Sequence, residues 1–414
     1  MWIFKVGVVG AGAMGGGIAQ VVTYAGLPVV VKDIDQAQLD AAREHVEKIY
    51  QGRVDKGKMT AGQVQEKLGL IEYTLEYDEF ADVDIVIEAV PEVMKVKQAV
   101  FRELDKVCTP DTILASNTSA LSITEMAEAT DRPDKVIGMH FFNPAHVMKL
   151  VEIIPGAETD QDTIDTVEQF TQDLRKIPVI VKECPGFLVN RLLMPYLNEA
   201  VLALEQGSAS AQEIDEALGR DGFGWPMGPF FLMDMLGVDV CAHVGQYLYE
   251  HYGERLAQVK LFDELVKRNR LGEKAGVGFY IYTATNVEPL EDIVKALQAS
   301  GDIETGTPFS VDRLIMPFLN EAAMCAQEEI ANVNDVDMAC IAGIGMQVNV
   351  NGELVRMGPL EYMDEMGIDV VVDKMEALEK EFGSRFHPAD ILYQKVKSGA
   401  LGKKAGRGFM EWTA

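Results

Sequence analysis

Residues 10–15 read Gly-Ala-Gly-Ala-Met-Gly, and the apolar run FKVGVV leads straight into them. A G-x-G-x-x-G spacing between a strand and a helix fits few folds. Gly10 would make the tight turn, Gly12 would let backbone approach a pyrophosphate, and Gly15 would let helix and strand pack closely. The helix opening at Ala13 and Met14 would then aim its unpaired N–H groups and positive dipole end at the phosphates. A lone motif of this kind also fits an ordinary glycine-rich turn. Here Asp33 closes the next apolar run, PVVVKD, in the order a dinucleotide site requires. A carboxylate there accepts bonds from ribose hydroxyls and repels a 2′-phosphate, so NAD is expected rather than NADP. Lys32 adjoins it, but strand alternation directs neighbouring side chains to opposite faces.

The same alternation of short β-branched runs and helical stretches continues to about residue 180. FKVGVVG, PVVVKD, VDIVIEAV, DTILASN and KVIGMHF read as buried parallel strands, and 36–51 reads as a helix between two of them. That pattern predicts an N-terminal doubly wound sheet, a Rossmann-type unit, over 1–183.

Beyond Cys184 amphipathic helical patterns take over, and the chain repeats itself. NRLLMPYLNEAV at 190 returns as DRLIMPFLNEAA at 312, an offset of 122. PMGPFFLMDMLGVDV at 226 returns at 356, and LGEKAGVGFY at 271 returns at 401, both at an offset of 130. Three ordered blocks predict two tandem all-α domains, at 184–283 and 308–414, joined by a linker over 284–307. The rise in offset places an insertion in the second copy near 343–352.

The formal net charge is −28, which excludes non-specific nucleic-acid binding. A polyanionic ligand would need local cations. The stretch from 43 to 58 holds five, Arg43, Lys48, Arg53, Lys56 and Lys58. It reads either as a phosphate site or as a solvated helix face. The five scattered cysteines form no C-x-x-C pair, as expected of reduced thiols in a cytoplasmic protein. No apolar run reaches the roughly 18–20 residues of a membrane span, and the six histidines lack metal-ligand spacing. No membrane association and no metal are expected, and the apolar start reads as a first strand rather than a signal peptide.

If the dinucleotide takes hydride from an alcohol, a base must take the hydroxyl proton, and histidine is the usual choice. His140 ends the strand KVIGMH, at the sheet edge where ligands bind in this architecture, and Glu152 follows in KLVEII. A carboxylate on the other ring nitrogen would fix the tautomer. The alternative is a core histidine and an unrelated glutamate. Ser119, in ASNTSA, could bond a substrate oxygen or simply cap a helix.

These blocks together resemble the 3-hydroxyacyl-CoA dehydrogenase family. GAGAMGGGIA, EAVPEVMKVK, ASNTS, GMHFFNPAHVMKLVEII, PGFLVNRLLMPYLNEA, GWPMGP and KAGVGFY carry the likeness in order. VVVKDID and FGWPMGP are similar to the dehydrogenase portion of the bacterial fatty-acid β-oxidation multienzyme. The resemblance implies NAD-dependent oxidation of an (S)-3-hydroxyacyl-CoA, 3-hydroxybutyryl-CoA included, to the 3-ketoacyl-CoA in β-oxidation or butanoate metabolism. It implies His140 as base and Glu152 as its carboxylate, with Ser119 and Asn190 at the substrate's 3-oxygen. Asp33, Glu92, Lys97 and Lys274 are implied as cofactor contacts, and Lys56 as a contact to CoA. Enoyl-CoA hydratase or thiolase are the implied protein partners, although no hydratase region is expected ahead of the first strand. The duplication implies a monomer with an internal pseudo-dimer, or a homodimer. Asp312 in place of Asn190 marks the second copy as scaffold, with Lys404 a relic. A dehydrogenase of a free hydroxy acid and a structural or docking subunit are the competing readings.

Overall fold

The computed structural model describes residues 1–412 other than 302 and 304. Asp302 and Glu304 of the expected linker, and Thr413 and Ala414 of the expected second helical domain, lie outside the described residues. The chain divides into two compact units, Met1–Phe187 and Leu188–Ala414.

The first unit is an eight-stranded sheet in the order β3-β2-β1-β4-β5-β6-β7-β8. Its strands are β1 (Val6–Val9), β2 (Val29–Lys32), β3 (Ile71–Thr74), β4 (Ile85–Glu88), β5 (Ile113–Ser116), β6 (Val136–Phe141), β7 (Leu150–Pro155) and β8 (Ile177–Ile180). The helices are α1 (Ala13–Ala25), α2 (Gln36–Asp55), α3 (Ala61–Leu68), α4 (Met94–Val107), α5 (Ile123–Ala127) and α6 (Gln161–Asp173). The five strands expected from the apolar runs are all present, with β1, β2, β4, β5 and β6 pairing in parallel. β7 pairs antiparallel to β6, and β8 runs parallel to β7. β1, β2, β4 and β5 are buried along their whole length, because helices cover both faces of such a sheet. Each valine or isoleucine hidden this way contributes roughly 1.5–3 kcal/mol over leaving it exposed.

The second unit is helical. Its helices are α7 (Val189–Glu205), α8 (Ala211–Leu218), α9 (Pro229–Leu236), α10 (Val238–Tyr252), α11 (Leu261–Lys267), α12 (Leu290–Ala299), α13 (Val311–Gln327), α14 (Val333–Gly343), α15 (Pro359–Met366), α16 (Ile368–Phe382) and α17 (Asp390–Lys397). The stretch where the repeat offset rises forms a hairpin of β9 (Val348–Val350) and β10 (Glu353–Val355).

The repeat is visible in the chemistry as well as the helices. Asp215 is buried and accepts N–H bonds from Phe230 (2.9 Å) and Phe231 (3.2 Å) at the start of α9. Its counterpart Asp337 does the same for Leu360 (2.7 Å) and Glu361 (3.0 Å) at the start of α15. These carboxylates satisfy N–H groups that a helix start leaves unpaired. Across the two copies, Arg191 on α7 bonds Glu321 on α13 at 2.7 Å, and Arg313 on α13 bonds Glu199 on α7 at 2.8 Å. Arg255 and Arg385, again counterparts, complete the two carboxylates. Each copy therefore neutralises charges buried in the other.

Among the described residues no disulfide is formed, and no helix is long and apolar enough to cross a membrane.

Candidate active site

The turn after β1 is built as its glycines require. Gly10 has φ +102°, and a Cβ there would press on the carbonyl of Ala89. A Cβ on Gly15 would overlap the carbonyl oxygen of Gly10, so only glycine lets α1 start this close to the strand. A Cβ on Gly12 would meet no protein atom within 4 Å. That position borders open space at a helix N-terminus without a side-chain cap, which is the cradle a pyrophosphate needs.

Asp33 closes the cradle on the β2 side. Its carboxylate accepts the Ala11 N–H at 2.7 Å and the Ile34 N–H at 2.7 Å. Lys32 is buried with its ammonium 4.2 Å from the Tyr77 ring centroid. Burial pushes the Lys32 ammonium below its usual pKa, against the pull of Asp33 and Glu76. The residues thus fit an NAD, with the Asp33 carboxylate beside the glycine turn.

His140 and Glu152 meet. They are direct partners in the β6–β7 register, and His140 Nδ1 lies 2.7 Å from Glu152 Oε2. Both are buried, at 5% and 0% exposure. The rings of Phe142 and Phe187 pack beside the imidazole, with centroids at 4.5 and 5.9 Å. Antiparallel partners share a face of the sheet, so the register alone brings the two side chains together. A carboxylate at this distance holds the imidazole in one orientation.

Ser119 is half-buried in the loop after β5. Its N–H, with that of Ala120, points at Glu92 Oε1 (2.9 and 3.2 Å), and the Thr118 hydroxyl donates to the same oxygen at 2.6 Å. Asn117 Oδ1 accepts the Phe141 N–H at 2.8 Å, tying this loop to the residue after His140. Lys97 is 1% exposed, and its ammonium bonds Glu88 Oε1 (2.9 Å) and reaches Glu92 Oε2 (3.2 Å). Burial pushes the Glu92 carboxyl up, but Lys97 and the donors of Thr118 and Ser119 outweigh it and hold it below its usual value.

Asn190 and Lys274 belong to the second unit. Asn190 is half-buried in the first turn of α7. Lys274 pairs with Asp239 at 2.5 Å, and its repeat counterpart Lys404 pairs with Asp369 at the same distance. Asp312, standing where the first copy has Asn190, pairs with Lys374. Of the cations in 43–58, Arg43 lies over the Tyr73 ring and Arg53 over the Tyr24 ring. Lys48, Lys56 and Lys58 are exposed.

Sequence reasoning passed over Glu88, Asn117 and Thr118. A signal for Glu88 was available, since a carboxylate ending the apolar strand IVIE must find partners when buried.

Comparison with known proteins finds relatives along the whole chain. The model of the 3-hydroxyacyl-CoA dehydrogenase NAD-binding domain matches residues 5–184. The model of the same family's C-terminal domain matches twice, over 186–282 and 309–412. A fatty acid oxidation complex subunit alpha from Psychrobacter arcticus is 41% identical over 378 residues, covering 89% of this chain and 51% of that protein. The chain thus spans about half the length of the curated relatives it matches. A 3-hydroxybutyryl-CoA dehydrogenase from Escherichia coli superposes with a TM-score of 0.85 at 29% identity, over 96% of this chain and all of that one. An (S)-3-hydroxybutyryl-CoA dehydrogenase from Ralstonia eutropha is 40% identical with a TM-score of 0.64, over 68% of this chain and all of its own. The NAD-binding model and the twice-matched C-terminal model follow one another along nearly the whole chain, and the chain belongs to the 3-hydroxyacyl-CoA dehydrogenase family.

Proposed function

We propose that the chain oxidises the 3-hydroxyl of an (S)-3-hydroxyacyl-CoA to the ketone with NAD, and that it acts in fatty-acid β-oxidation or butanoate metabolism. The observation that carries this reading is the buried His140–Glu152 pair at the carboxyl end of β6. With Nδ1 held by Glu152, Nε2 is the nitrogen that meets a substrate hydroxyl. His140 takes the hydroxyl proton there, and Glu152 stabilises the imidazolium that results. Bound in the glycine cradle, NAD supplies the acceptor for the hydride leaving C3. Ser119 and Asn190 are the polar residues assigned to the substrate's 3-oxygen. Preorganised donors of this kind contribute about 10²-fold or more in rate. Lys274 is assigned to the cofactor by the family's motif, and exposed Lys56 to the CoA.

The test follows NADH consumption with acetoacetyl-CoA, longer 3-ketoacyl-CoA thioesters and free acetoacetate, in wild type and His140→Ala. Thioester-dependent turnover that the substitution abolishes is expected. Silence with every thioester, or equal turnover of free acetoacetate, overturns the reading. The relatives' name as complex subunits supports a partnership with hydratase or thiolase, which co-purification of those activities would test.

A further inference from the structure

Glu88 ends β4 and is fully buried, yet no step of the proposed reaction uses it. Its Oε1 accepts the Val90 N–H at 2.7 Å and the Lys97 ammonium at 2.9 Å. Its Oε2 accepts the Ser116 hydroxyl at 2.6 Å and lies 3.2 Å from the same ammonium. Lys97 in turn reaches Glu92 Oε2 at 3.2 Å. Glu92 Oε1 then receives the Thr118 hydroxyl and the N–H groups of Ser119 and Ala120. The Thr118 N–H donates to the Ser116 oxygen at 3.2 Å. The bonds close into a ring, Glu88 to Lys97 to Glu92 to Thr118 to Ser116 and back to Glu88.

A buried carboxylate that only stitched β4 to β5 would need one or two donors. Glu88 instead takes three, the Val90 N–H, the Ser116 hydroxyl and, across both oxygens, the ammonium that also holds Glu92. The ring encloses two carboxylates and one ammonium, so Lys97 is divided between Glu88 and Glu92. Removing the charge of Glu88 hands the whole ammonium to Glu92 and takes away the anchor that keeps Lys97 back. The carboxylate that then moves is the one gripping the Ser119 N–H.

We propose that Glu88 is a positioning residue for the site. It touches neither cofactor nor substrate, and through Lys97 it fixes Glu92 and the turn carrying Ser119. This rests on the functional reading above for the roles of Glu92 and Ser119.

The test is Glu88→Gln, which keeps shape and removes charge, with Glu92→Gln and the double variant. Thermal unfolding, NADH titration by fluorescence and steady-state kinetics are measured on each. Glu88→Gln is expected to weaken NADH binding and lower kcat by about 10-fold, toward the ~10²-fold that a misplacement of about 1 Å can cost. The double variant should lose no more than Glu92→Gln alone, since residues acting through one another do not add. A lowered Tm with unchanged NADH affinity and kcat overturns the proposal, as do losses that multiply in the double variant. Should Glu88→Gln fail to fold, Ser116→Ala opens the ring from its other side and must weaken NADH binding in the same direction. Unchanged binding and turnover in Ser116→Ala then overturns the proposal. If the wild type turns over no thioester, the functional reading falls, while the NADH titration still decides the role of Glu88.

Discussion

His140 and Glu152 face each other as register partners of an antiparallel strand pair, 2.7 Å apart, with no loop intervening in their geometry. Replacing His140 by alanine should lower kcat by about 10²–10⁴, the usual worth of a positioned base, with NADH affinity little changed. Glu152→Gln should keep the fold and lose a large part of the same factor, because a neutral amide no longer stabilises the imidazolium. Deleting one residue within β7 should turn residue 152's position to the other face and abolish turnover while the unit stays folded. Stopped-flow kinetics beside circular dichroism checks all three.

The proposed role of Asp33 in cofactor choice is testable. Its carboxylate braces the Ala11 N–H at the end of β2, the place that the proposed reading gives to the ribose. Asp33→Ser should lower kcat/KM for NAD by about 10-fold or more, in line with losing a charge-assisted bond of ~1.5–3 kcal/mol. It should lower the value for NADP far less, since a repulsive carboxylate is removed. The ratio of the two values is the measurement, and an unchanged ratio would contradict the assignment.

Buried carboxylates, Asp337 and Asp215 among them, set a pH dependence of stability. Burial pushes Asp337 up to about 7 and Asp215 up to about 6, with the bonds from their helix N–H groups only partly offsetting it. A carboxyl raised above its unfolded value of 3.8 contributes stability that is present below that value and is lost as pH rises through the folded one. Between about pH 4 and 7 the native state therefore binds more protons, and acidification stabilises it. Thermal midpoints should rise as pH falls from about 8 to 5.5. Asp337→Asn should flatten that slope, and an unaltered slope would refute the account.

The crossed ion pairs predict how the second unit fails. Arg313 is 0% exposed and shares Glu199 with Arg385, so Arg313→Ala should cost up to about 3–5 kcal/mol by removing one of the two guanidiniums that neutralise this buried carboxylate. Removing 308–414 should be worse. It strips Glu321 from Arg191, leaves Glu199 without Arg313 and Arg385, and uncovers the α7 face that packs on α13. Dimerisation or aggregation is expected in light scattering, and an active, monomeric truncation would overturn the pseudo-dimer reading.

Much of the sheet was legible because buried parallel strands read as continuous apolar runs, as VVVK and IVIE do. β3 escaped notice because its residues IEYT are half exposed and mixed. β7 and β8 follow the sequence's last strong βα signal, and nothing local announces that β7 reverses direction. The sequence left His140 and Glu152 between two readings for the same reason. Their contact depends on a register between strands, which spacing along the chain does not encode. The cations of 43–58 were countable, but their division was not. Arg43 and Arg53 rest on tyrosine rings that come from other elements, β3 and α1.

The exchange of arginines between the helical copies has an evolutionary side. Guanidinium and carboxylate sit in different repeats, so a change accepted in one must be answered in the other. Arg191 cannot drift without Glu321, nor Arg313 without Glu199. Loss of one partner in either copy leaves a charge of the other copy short of its neutraliser, so the two repeats are tied by their ions as well as by their backbone.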